Sequence, residues 1–169
     1  MIIEKIKKLK GSVLGFGLSK NLMKEIKKNK NIIKCDLIDS DVLGDAEETK
    51  RIKKFHIKNL RSKFKKKRIN YIICNYESIL KYQYKFVKDS IYLTNDTVII
   101  YNLNKEQKAL LNKKYNRYKT NINIIENKNK YIMEIDTSKA KNNKVKELYY
   151  FIIDFIVKID NIITELLVN

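Results

Sequence analysis

Two short apolar runs, "SVLGF" at residues 12–16 and "NIIKCDLID" at 31–39, flank a stretch in which Leu22, Met23 and Ile26 recur at helical spacing. Two strands joined by one helix lie parallel, because the crossover must carry the chain back before the second strand can start. A parallel pair is buried on both faces and needs helices above and below it. This first unit therefore predicts a layered α/β architecture with more strands to come.

The rest of the chain supplies them. "KKFHIKN" reads as a strand, "LRSKFKKKR" at 60–68 as a short basic helix, and "INYIICN" at 69–75 as a buried strand. In "YESILKYQYKFVKD" the residues Ile79, Leu80, Phe86 and Val87 fall near one helical face, and "DTVIIYN" at 96–102 is a β-branched strand. Asn104, followed three residues on by Gln107, has the form of a capping box before the helix "KEQKALLNKKYNRY". Alternation then stops, because "TNINIIE" and "KYIMEID" are separated only by "NKN" and make an antiparallel hairpin. From Leu148 to Leu166 apolar residues recur at helical spacing, which predicts an amphipathic helix over 143–168. The whole reads as one domain, 1–169: a three-layer α/β fold whose mostly parallel sheet ends in an antiparallel hairpin, plus the long C-terminal helix. The acidic stretch "SDVLGDAEETK" has room only for a short helix.

Composition narrows the function classes. A chain of 169 residues with 44% hydrophobic content can bury a core without disulfides. Cys35 and Cys74 lie in apolar runs and read as buried thiols of a reducing compartment, so a cytoplasmic location is expected. His56 is the only histidine and no cysteine stands at metal-ligand spacing, so no metal site is expected. Asp154, Lys158, Asp160 and Glu165 interrupt the C-terminal apolar stretch before it reaches the roughly 20 residues of a membrane span, and no membrane partner is expected.

The formal charge is +18, nearly all from lysine, the arginines being Arg51, Arg61, Arg68 and Arg117. Such a charge attracts polyanions by counterion release. A chain rich in Lys, Asn, Ile and Tyr and free of proline also has the profile of an AT-rich coding sequence, so two origins of the charge stand side by side. The best local candidate for phosphate contacts is Arg61, Lys63, Lys65, Lys66, Lys67 and Arg68, interleaved with Phe64; the same run also serves as a solvated face.

"VLGFGLSKN", with a glycine-bearing turn after the first strand and a hairpin late in the chain, resembles the class I S-adenosylmethionine-dependent methyltransferase superfamily, a Rossmann-like fold. In that family the first strand ends in an acidic residue and a Gly-x-Gly-x-Gly-like turn; here Gly15 replaces the acid, Gly17 is kept and Ser19 replaces the next glycine. The resemblance implies S-adenosylmethionine as cofactor, held by Gly15, Gly17 and an acid at the end of the second strand, Asp39, for the ribose hydroxyls. "GDAEE" at 44–48 resembles the adenine-contacting stretch but follows the second strand too closely to end a third. Members that methylate base amino groups carry an Asn or Asp, two prolines and an aromatic after the fourth strand; Asn75 and Tyr76 stand there without the prolines. The resemblance thus assigns Asn75 and Tyr76 to the substrate, the tyrosine stacking on a base. "VLGFGLS" is also similar to the opening of the muramyl ligases, which further need a Gly-rich nucleotide loop that this chain lacks.

Each of these residues has a plainer role open to it. Two glycines satisfy a tight strand-to-helix turn with or without a ligand, and Asn75 is a good helix cap. Two functions follow: a methyltransferase acting on nucleic acid, most naturally RNA, or a non-catalytic Rossmann-like binding or structural module. The width of the C-terminal stripe, extended by Tyr149, Tyr150, Ile153 and Val157, adds an expectation of a homodimer through that helix.

Overall fold

The computed structural model describes residues 2–38, 52–55, 64, 66–140 and 152. The elements are α1 (Ile2–Lys8), β1 (Gly11–Phe16), α2 (Lys20–Lys28), β2 (Ile32–Ile38), β3 (Ile52–Phe55), β4 (Ile69–Asn75), a 3₁₀ helix (Tyr76–Tyr82), α3 (Gln83–Leu93), β5 (Thr94–Leu103), α4 (Lys105–Asn116), β6 (Asn121–Asn127) and β7 (Lys130–Asp136). The strands form one seven-stranded sheet in the order β3-β2-β1-β4-β5-β7-β6. β1 runs parallel to β2 and β4, β2 to β3, and β4 to β5. β7 lies antiparallel between β5 and β6. This is the fold class that the sequence pattern predicts.

Period-two alternation sends each strand's apolar residues to opposite faces. Leu14, Ile72 and Ile100 join Phe86, Val87, Leu111 and Tyr115 of α3 and α4 in one core. Val13, Ile73 and Ile99 join Ile6, Leu22, Met23 and Ile26 of α1 and α2 in the other. Fully burying one such aliphatic side chain is worth about 1.5–3 kcal/mol, so these two layers rather than any single bond hold the helices to the sheet. Between the layers, local polar bonds fix the joints. The Asn29 amide donates to Ile6 O at 2.7 Å and Leu9 O at 3.0 Å, and its Oδ1 accepts from Asn31 N at 2.9 Å, tying the end of α1 to the turn before β2. The capping box of Asn104 and Gln107 forms as the sequence predicts, with bonds of 2.8 and 2.9 Å.

Two local expectations come out differently. Leu80 is 54% exposed, because the segment opens as a 3₁₀ helix whose three-residue turn puts Tyr76 and Ile79 on the core side and Leu80 off it. In the basic stretch Lys66 and Lys67 form a turn, with Lys67 at φ 52°, rather than the end of a helix. At the N-terminus, the seven-residue α1 buries Ile6. "GDAEE", Asp39 and the C-terminal helix expected over 143–168 lie outside the described residues, apart from Ile152, which is helical and 47% exposed.

Candidate functional site

β1 and β4 are neighbours in the sheet, yet α2 leaves β1 toward one face while the 3₁₀ helix and α3 leave β4 toward the other. Where neighbouring parallel strands send their chains to opposite faces, a crevice opens at their carboxyl ends. Gly17 and Asn75 meet there, a Cβ added to Gly17 falling 3.5 Å from the Asn75 Cβ.

Each glycine has a physical cause within the chain. Gly17 has φ 54°, the left-handed region that disfavours side chains, and a Cβ on it would collide with the Ser78 hydroxyl. Gly15 makes room for Leu18, whose Cδ1 lies 2.5 Å from where a Gly15 Cβ would stand, with Leu37 Cδ2 at 3.1 Å. Leu18 is 1% exposed, so the space beside Gly15 is filled by hydrocarbon. Phe16 turns to the opposite core and meets Phe86 edge-on at 5.2 Å. Ser19 caps α2 by accepting from Leu22 N at 3.4 Å.

Two groups from β5 complete the corner. The Tyr101 hydroxyl donates to Gly17 O at 3.1 Å and accepts from the Ser19 backbone N–H. Burial pushes its pKa up to about 12, with Cys74 adding to the rise and the Ser19 bond opposing it. Asn102, at φ 63° and exposed, donates its amide to Asn75 Oδ1 at 3.4 Å. The same oxygen accepts from Glu77 N at 3.4 Å, so Asn75 caps the 3₁₀ helix and its amide nitrogen points away from both donors. Ser78, Tyr101 and Asn102 were not singled out by the sequence. The only trace they left is that an apolar strand ends in Tyr-Asn.

Tyr76 departs from its sequence-derived role. It is 2% exposed in the core, and Gln83 Nε2 donates to its hydroxyl at 2.6 Å, so no face of the ring is offered to a base. Burial is the main cause that raises its pKa. A tyrosine directly after a strand continues the strand's alternation, and Tyr76 follows Ile72 and Cys74 into the same core.

The basic segment is also placed elsewhere. Lys66, Lys67 and Arg68 precede β4, at the end of the sheet opposite Asn75; seven strand residues span roughly 23 Å. Arg68 O accepts from Ser12 Oγ at 3.2 Å beside the start of β1. Lys67 is half-buried and its ammonium donates to Thr94 O at 2.7 Å and Thr137 O at 2.9 Å, which makes it an internal strut rather than a phosphate ligand. Desolvation and the neighbouring Lys66 lower its pKa against the pull of Asp136. Lys66 and Arg68 are exposed; Arg61, Lys63 and Lys65 lie outside the described residues. Among the described residues no three His, Cys, Asp or Glu side chains group as metal ligands, and no helix is long and apolar enough to cross a membrane. Cys35 and Cys74 are buried and not joined in a disulfide.

No family model matches the sequence, and no curated protein matches it. Solved structures do match in fold. A Sulfolobus solfataricus protein described as a type 11 methyltransferase aligns with TM-score 0.55 and 11% identity over 83% of this chain and 90% of its own. Streptococcus pneumoniae Sp1610, described as a tRNA (m1A22) methyltransferase and solved with S-adenosyl-L-methionine, aligns with TM-score 0.57 and 12% identity over 85% of this chain and 75% of its own. Spermidine synthase from Thermotoga maritima aligns with TM-score 0.55 and 12% identity over 78% of this chain and 55% of its own. At such identities the likeness is one of fold, and the chain has the fold of the class I methyltransferases.

Proposed function

We propose that this chain binds S-adenosylmethionine at the carboxyl ends of β1, β2 and β4 and methylates a nucleic acid, RNA before DNA, in the cytoplasm. The observation that carries the reading is the meeting of the Gly17 turn with Asn75 at the crevice between β1 and β4, the place where a sheet of this order binds ligands. The S. pneumoniae neighbour, solved with S-adenosyl-L-methionine and described as a tRNA methyltransferase, lends support to both halves of it. The cofactor brings an activated methyl group, so the protein's task is alignment rather than acid–base chemistry. The Gly17–Ser19 turn would present backbone to the cofactor at the start of α2, Asp39 would hold the ribose hydroxyls, and the Asn75 amide nitrogen would orient the methyl acceptor. The carboxylate that the family places at residue 15 is absent, and Leu18 occupies its space.

That last fact favours a second reading, a Rossmann-like module without a cofactor. Leu18 explains Gly15, Ser78 explains Gly17, and Tyr101 satisfies the backbone of the turn, so the corner is complete without a ligand. Titration calorimetry with S-adenosylmethionine and S-adenosylhomocysteine separates the two. The methyltransferase reading expects one-to-one binding that weakens in Asp39→Ala and Asn75→Ala. Absence of heat with either ligand at about 1 mM, where even an affinity of about −4 kcal/mol would register, would leave the module reading standing.

A further inference from the structure

The two edges of the sheet are defended differently. An edge strand offers a row of unpaired backbone donors and acceptors, and proteins blunt it with lysine, proline, a bulge or shortness. β3, at one edge, is four residues long and carries Lys53 and Lys54. β6, at the other, is seven residues long, "NINIIEN", with no lysine and no bulge in its register with β7. The remaining lysine-free strands, β1, β4 and β5, each lie between two other strands, where lysine has no place. In a chain of charge +18, a regular, lysine-free edge is the exception that calls for a cause. Among the described residues nothing pairs with its outer side, and Ile124 at its centre is 37% exposed.

We infer that β6 is a self-association edge, at which a second copy of this chain adds its own β6 antiparallel across a two-fold axis. Two molecules of like charge associate at least cost along an element that carries none of it, and β6, with no lysine of its own, is the edge strand that meets this condition. Centred on Ile124, the pairing sets Ile124 against its own counterpart, Asn121 against Asn127, Ile122 against Glu126 and Asn123 against Ile125. A cross-strand aliphatic pair and matched amides are favourable partners in such a ladder. Lys119 and Lys128 flank the strand and approach each other across the axis, so the dimer strengthens as salt screens them. This interface is distinct from one formed by the C-terminal helix and independent of any cofactor.

Sedimentation of the full chain over a range of concentrations, at about 0.15 M and 0.5 M salt, tests it. A reversible dimer, larger in fraction at the higher salt, is expected. Ile124→Lys places two ammonium groups across the axis and should weaken the dimer at least tenfold. Ile33→Lys, at a residue 69% exposed on β2, should leave it intact. Amide exchange of the wild-type protein gives a second readout that needs no variant: β6 amides should gain protection with concentration. A monomer under all conditions overturns the inference. So does a dimer that Ile124→Lys leaves unchanged, or one lost in the Ile153→Glu, Val157→Glu variant while β6 amides exchange at the same rate at every concentration.

Discussion

The hydroxyl of Tyr101 reaches the first turn from two strands away, donating to Gly17 O and accepting from the Ser19 backbone N–H. A turn held at positive φ stays in place when its neighbours leave it no alternative, and this one hydroxyl satisfies two of its backbone groups. The phenol is buried and its pKa is raised from 10.0 to about 12. Its contribution to stability is therefore complete below pH 10, where both folded and unfolded forms keep the proton, and is lost as pH rises toward 12. Removing the hydroxyl in Tyr101→Phe should cost about 1–2 kcal/mol at pH 8. By pH 11 the gap between wild type and variant should have shrunk by about 1.4 kcal/mol. Urea melts of both proteins at the two pH values check this, and a gap that stays constant would mean the hydroxyl titrates normally. The glycines of this corner are legible in the sequence, because their spacing marks a turn. What they make room for is not: Gly17 yields to Ser78, which arrives from another strand connection, and no local pattern announces a contact so distant along the chain. The same distance hid Tyr101, which by itself is one more aromatic in an apolar strand.

Elements are written more openly than contacts, since each depends on its own run of residues. β1, β2, β4 and β5 follow apolar runs, α4 follows its capping box, and the hairpin follows the short polar "NKN" between two strands. The failures have local causes too. Lys67 leaves the helix expected for it because its ammonium is drawn in to Thr94 O and Thr137 O and its backbone N–H to Tyr92 O at 3.0 Å. Leu80 falls outside because a 3₁₀ turn replaces the α-helical one. The hairpin itself is under-optimised. Lys128 and Asn129 have φ 46° and 63°, two left-handed residues in a two-residue loop, a geometry that Asn-Gly fits best. Replacing them by that pair, Lys128→Asn with Asn129→Gly, relieves left-handed strain that outweighs the glycine's extra freedom in the unfolded chain and should stabilise the protein by about 0.5–1 kcal/mol. A calorimetric scan would show a rise in Tm of about 1–4 °C; a fall would mean that the lysine side chain holds the turn in some other way.

For the whole molecule, what matters about a charge of +18 is where it sits. Exposed lysines occur on α1, α2 and α4, at the hairpin turn, and at Lys66 beside Arg68, so the described charge covers both faces and both ends of the sheet. Among the described residues no single stripe leads to the crevice. Lys20 and Lys24, on the first turns of α2 directly after the Gly17 turn, stand at the crevice end of the sheet, as do Lys105 after β5 and the hairpin residues Lys128 and Lys130. Lys66 and Arg68 sit at the other end, beyond the length of β4. If RNA is bound for methylation at the crevice, Lys20 and Lys24 contribute to the productive complex and Lys66 and Arg68 do not. Each phosphate contact on a single strand adds about 0.7 to the slope of log affinity against log salt. The Lys20→Gln, Lys24→Gln variant should therefore lower that slope by about 1.4, while Lys66→Gln, Arg68→Gln leaves it within error of wild type. Filter binding of one single-stranded RNA across a salt series measures both. Equal losses in the two variants would show that the charge acts as a diffuse coat, as an AT-rich coding sequence produces, and would detach RNA binding from the crevice.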